Sequence, residues 1–237
     1  MPDVAERLVN DLRTSLRAGA NPDRAPGQQA YMKSAIPYYG LTAPEMKLAF
    51  KGPLATHTLP DRDDWERAIR ELWDHVTHRE EWYAAIGIAN YRTYHHWATG
   101  LASLPLYEHM IRTGAWWDVC DSIGESLVGS VLRTHPEAVT PLMRQWSRDE
   151  HLWIRRVSIL CQLKSKTQTD RELLSDCIQP SLDDKDFFAR KGIGWALREF
   201  SKTDPVWVRR FVTAHADRLS GLSRREALKW LDNHPDR

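Results

Sequence analysis

An aromatic residue returns about every 35 residues, and this period limits the fold more than any other feature of the chain. Aligning EWYAAIGIA (81–89), WWDVCDSIG (116–124), LWIRRVSIL (152–160) and FFARKGIGW (187–195) puts Trp82, Trp117, Trp153 and Phe188 at the second position, with spacings of 35, 36 and 35. The eighth position is Ile88, Ile123, Ile159 and Gly194. Partner segments begin at Pro136, Arg171 and Pro205, at spacings of 35 and 34. A helix pair repeated at this interval marks a helical solenoid, in which each unit buries its apolar face against its neighbours. The competing account is chance matching in a chain with eleven Trp.

The local patterns are helical too. Segment 61–76 puts Trp65, Ile69, Leu72, Trp73 and Val76 on one face, behind an Asp-rich start that suits the positive end of a helix dipole. Segment 136–146 opens with Pro at a first-turn position, and 204–215 has Asp204 as N-cap before Pro205. Pro- and Gly-containing stretches at 21–27, 51–61 and 102–106 punctuate helices, and no strand or hairpin pattern stands out. The expected fold is all-α: a right-handed superhelical solenoid of HEAT-like antiparallel helix pairs with a concave face. One domain is expected over 1–237, with divergent N-terminal helices in 1–60 and regular pairs in 61–237.

One position breaks the repeat. The sixth aligned residue is Ile86, Val157 and Gly192 in three blocks but Asp121 in the fourth. An ionised carboxylate is costly to bury, so it survives there only if it is hydrated, paired or used. A rotated helix that exposes Asp121 to solvent explains the pattern equally well.

Other features narrow the class. Cys120, Cys161 and Cys177 are odd in number and lack CxxC spacing, which argues against a disulfide framework or a Cys-based zinc site and fits a reducing cytoplasm. The first twenty residues have no apolar signal core, and no apolar run is long enough to span a membrane. His75 with His78, and His95 with His96, lack a third ligand at helical spacing. Neither a P-loop nor GxGxxG occurs. Residues 150–237 carry 17 Lys and Arg against 13 Asp and Glu, leaving 16 against 19 in 1–149. A weakly basic second half suits a modest phosphate-binding face, although solvated helix surfaces give the same balance.

The blocks AWWDVCDSIGESLVG (115–129), HLWIRRVSILCQLK (151–164), DFFARKGIGWALREFSKTDP (186–205) and AYMKSAIPYYGLTAPE (30–45) together resemble the AlkD-type DNA alkylation repair glycosylases. That family is described as HEAT-like repeat enzymes that excise 3-methyl and 7-methyl purines. The resemblance runs from about Tyr31 to about Leu231 and rests on WWDxxD, WxxR and IGWxLRE in order. It implies that Asp121 is the catalytic carboxylate and that Trp117 and Trp195 wall the lesion-facing cleft. It further implies that Arg156 contacts DNA, that Tyr31 is an aromatic near the site, and that Arg198 touches phosphate. The expected substrate is double-stranded DNA with alkylated bases, bound by a monomer on the concave face. No cofactor, metal or obligatory protein partner is expected, and the location is cytoplasmic, on the nucleoid if the source is bacterial.

The chemistry fits these residue types. A purine methylated at N7 or N3 is already cationic and leaves without a strong general acid. Positive charge then develops on the sugar as an oxocarbenium-like centre, which one carboxylate can stabilise while it orients water. Trp ring faces favour a cationic base by about 0.5–2 kcal/mol each. Lys164 or Lys191 as a Schiff-base amine is a weaker reading. Two others remain: a HEAT-type scaffold for a protein partner, and a relative that binds damaged or branched DNA without cutting the glycosidic bond.

Overall fold

The computed structural model describes residues 3–234 and is helical, with no strand among those residues. It forms two compact units, divided between Ala98 and Thr99.

The first unit contains α1 (Val4–Ala18), α2 (Ala25–Met32), α3 (Ala43–Thr56), α4 (Arg62–Asp74), α5 (Arg79–Ala89) and the short α6 (His95–Ala98). Helix α1 starts at a capping box, Asp3 with Glu6, and buries Leu8, Leu12 and Leu16 at helical spacing. Helix α4 is capped by Asp61 and buries Trp65, Ile69, Leu72 and Trp73, the stripe expected from the sequence. Val76 falls beyond its end. Two fully buried carboxylates organise this unit. Glu80 accepts the backbone N–H groups of Tyr39, Gly40 and Leu41, and Glu81 accepts from Arg13, Tyr39 Oη and Thr77 Oγ1. They tie an irregular loop to α5, where unpaired N–H groups would otherwise be costly.

The second unit contains α7 (Leu104–Gly114), α8 (Trp117–Ser122), α9 (Gly129–Thr134), α10 (Pro136–Trp146), α11 (Leu152–Leu160), α12 (Arg171–Ile178), α13 (Phe187–Ser201), α14 (Pro205–Ala214) and α15 (Gly221–Asp232). A π-helical segment, Ile123–Val128, joins α8 to α9. Helix α10 begins at the expected Pro136, and Asp204 caps α14 by accepting from Trp207 N. The 35-residue period reappears as contacts. Asp149 and Asp184 each accept the N–H two residues on and each bind an arginine of a neighbouring segment, Arg112 and Arg155. Asp183 pairs with Arg218, 35 residues later.

All three cysteines are free and buried. The histidines are engaged elsewhere: His75 pairs with Glu71, His78 stacks on Tyr39 at 3.7 Å, and His96 packs on Trp97. None of the helices among the described residues is long and apolar enough to cross a membrane.

Candidate active site

Helix α8 is short and enters from a left-handed residue, Ala115 at φ 37°, followed by extended Trp116. That entry throws Trp116 and Trp117 in different directions. The Trp116 ring, not that of Trp117, packs against Trp153 and Phe188, at 6.0 and 5.3 Å between centroids. The aromatic cluster is thus completed from one residue before the aligned aromatic position. Trp117 stays half-buried, one helical turn before Asp121 on the same face of α8.

Asp121 is 8 % exposed, which removes the rotated-surface-helix account. It is paired. Arg156 of α11 donates from Nε to Oδ1 and from Nη2 to Oδ2, both at 2.7 Å, as a two-pronged fork. A third donor, Nη1, reaches the Phe188 carbonyl of α13. Gly192 makes room for this arrangement, since a Cβ there would stand 3.1 Å from Arg156 Nη1.

Burial pushes the Asp121 carboxyl above the ordinary aspartate value, and nearby Glu125 and Asp118 act in the same direction; the Arg156 guanidinium opposes them. The outcome is a desolvated carboxylate whose charge is held by one cation. Such a group has fixed oxygens, has little water to compete with it, and responds strongly to a positive centre brought against it. The π-helical segment that follows suits such a position, since π-turns concentrate at functional sites.

The geometry of Arg156 differs from that of a free phosphate grip. The residue is 4 % exposed, and three of its N–H donors are used inside the protein. Two of the five in a guanidinium remain.

Trp195 of α13 is half-buried, one turn beyond Gly192. Arg198 is partly exposed and bound to Glu226 of α15, which also holds Lys191 at 2.8 Å. Asp121, Arg156, Lys191 and Glu226 are spaced by 35 residues each and pair as acid with base, then base with acid. No local pattern links Lys191 to Glu226, although stepping the Asp121 position through the period reaches both. Tyr31 sits on α2 of the first unit and is 76 % exposed. A cleft of about 240 Å³ lined by Ile159, Gln162, Leu174 and Phe200 contains neither Asp121 nor Arg156.

Comparison with known proteins follows the same line. A sequence model of the family described as DNA alkylation repair enzyme matches residues 12–231. A solved structure described as a predicted DNA alkylation repair enzyme from Enterococcus faecalis is similar, with a TM-score of 0.80 and 32 % identity over 90 % of this chain and 96 % of that one. No curated protein matches the sequence. With the family matched over nearly the whole chain, the protein belongs to the DNA alkylation repair enzyme family.

Proposed function

We propose that the protein is a monofunctional DNA glycosylase that hydrolyses the N-glycosidic bond of cationic purines, 7-methylguanine and 3-methyladenine, in duplex DNA. The observation that carries this reading is the buried Asp121 carboxylate, held in one orientation by Arg156 with Trp117 a turn away. As the bond breaks, its electron pair leaves with the base, which departs neutral, and the deoxyribose C1′ becomes cationic. Asp121 stabilises that centre and orients the water that adds to it, and the water's proton passes to the carboxylate or to solvent. Trp117 and Trp195 offer ring faces to the cationic lesion. Arg156 acts first as the positioning residue of Asp121, and its remaining donors are available to the DNA backbone. Arg198 and Tyr31 complete the proposed DNA-binding set.

The proposed scaffold is a single HEAT-like repeat domain, with regular pairs over 61–237, whose right-handed superhelix turns a concave face to DNA. The pairs at 35-residue spacing in the second unit support the repeat. The protein would work as a monomer without metal, cofactor or obligatory protein partner.

A second reading has one observation in its favour. A buried, satisfied ion pair is also a structural device, and a damaged- or branched-DNA-binding relative needs nothing more. Incubating the protein with methylated duplex in EDTA separates the two. Release of 7-methylguanine or 3-methyladenine by the wild type, and none by Asp121→Asn with DNA binding kept, is the expected result. Full release by Asp121→Asn sinks the catalytic assignment, and no release by the wild type favours the binding protein.

A further inference from the structure

The second acid–base pair of the 35-residue ladder has no part in the chemistry above. Glu226 lies where α15 crosses α13 and is 8 % exposed. Its Oε2 accepts from Lys191 Nζ at 2.8 Å and its Oε1 from Arg198 Nη1. The crossing is tight: a Cβ on Gly194 would fall 2.5 Å from the Glu226 Cβ, and Ser223 Oγ donates to the Arg190 carbonyl at 3.0 Å. The carboxylate therefore has its root clamped against the backbone of α13.

The two cations have the opposite character. Their side chains are 38 % and 28 % exposed. Each gives one donor to Glu226, leaving further N–H groups on both heads. Lys191, Trp195 and Arg198 are spaced by four and three residues, which sets them along one stripe of α13 with the tryptophan in the middle. Two positive charges against one negative leave the cluster at net +1.

We propose that Lys191 joins Arg198 of the DNA-binding set above to form a phosphodiester-binding pair on either side of Trp195, and that Glu226 is the positioning residue that sets it. Long basic side chains lose rotamer freedom when they are fixed on a ligand. Glu226 fixes them beforehand and offsets their mutual repulsion, so less ordering remains when a phosphate arrives. The net charge that survives is what an anionic backbone meets. The ligand is the sugar–phosphate chain, not a base, so the contact adds affinity without sequence preference. This inference rests on the DNA repair reading, in which the Trp195 stripe faces the duplex.

The test is binding of a short unmodified duplex, followed by fluorescence anisotropy between about 50 and 200 mM salt. Lys191→Ala and Arg198→Ala are each expected to reduce the slope of log affinity against log salt by about 1. Glu226→Gln keeps shape and removes the charge. It is expected to weaken binding at fixed salt by about 5-fold although the net charge rises, and Lys191→Ala is expected to cost less in that background than alone. A Glu226 that serves only the helix crossing lowers the melting temperature and leaves duplex affinity unchanged, which overturns the proposal, as does tighter binding by Glu226→Gln. If Glu226→Gln fails to fold, the two partly exposed variants still decide: unchanged slopes for both overturn it. Binding of unmodified duplex is independent of base release, so wild type that binds with unaltered variant slopes defeats this inference alone. Wild type that binds no duplex defeats the repair reading beneath it.

Discussion

Replacing Arg156 by Met tests whether the Asp121–Arg156 pair is the organising element of the site. The substitution keeps an unbranched side chain but removes both donors to Asp121 and the one to the Phe188 carbonyl. The two side chains are only 5 % and 12 % exposed, so solvent replaces little of what is lost. Breaking one side of a buried pair costs about 3–5 kcal/mol. Because Asp121 keeps some exposure and can take up a proton, the lower end applies, about 3 kcal/mol, or a urea midpoint about 1 M lower at a slope of about 3 kcal/mol/M.

The loss should depend on pH in one direction. Burial already raises the Asp121 carboxyl, and removing Arg156 removes the main opposing influence. A carboxyl raised in the folded state binds more protons there than in the unfolded chain, so stability falls as pH rises. The deficit of Arg156→Met is therefore small below the unfolded aspartate value. It grows as pH rises through the folded value, and is complete above it. Replacing both partners by apolar residues, Asp121→Leu with Arg156→Met, should restore most of the stability. Urea unfolding followed by tryptophan fluorescence across a pH series reads all of this. A deficit under about 1 kcal/mol, or one that does not change with pH, refutes the claim that Asp121 depends on Arg156 for its charged state.

Three further outcomes are expected. Base release should fall on the acid side with a midpoint above the ordinary aspartate value, because the working form of Asp121 is ionised and burial raises its carboxyl; a single-turnover pH profile measures this, and a midpoint at or below that value counts against the assignment. Gly194→Ala should lower the melting temperature, because its Cβ meets Glu226 Cβ at 2.5 Å and Ser223 O at 3.0 Å, an overpacking cost of about 1–3 kcal/mol that exceeds the helix-propensity gain. Gly27→Ala in α2, where nothing stands within 4 Å, should instead stabilise by about 0.5 kcal/mol; equal shifts for the two glycines would mean that the α13–α15 crossing is looser than described.

Much of the fold was legible because it is local. A helix of α4's kind declares itself through the spacing of Trp65, Ile69, Leu72 and Trp73, and α10 and α14 through Pro136, Asp204 and Pro205, since propensity, capping and one apolar face all act within a few residues. The period near 35 was legible for the same reason, as a pattern in order along the chain. The residues of the repair motif, Trp117, Asp121, Arg156, Trp195 and Arg198, could be singled out by resemblance, and the family they point to is the one the chain belongs to.

What each of them touches was decided only by the tertiary structure. The repeat alone leaves Asp121 between an exposed and a functional account, and packing buries it and aims Arg156 at it from 35 residues away. The same contact turned Arg156 inward, because a desolvated carboxylate attracts a guanidinium more strongly than water does. Trp116, one residue before the aligned aromatic position, packs on Trp153 and Phe188, because the left-handed turn at Ala115 sets the entry of α8 in a way no alignment of blocks contains. Glu80, Glu81 and Glu226, which no local sequence pattern singles out, are buried anchors. The sequence by itself determined helices, their period and the family. Burial and pairing between segments far apart in the chain depend on how those helices pack, and that packing turned Asp121 from an odd residue in a repeat into a held carboxylate.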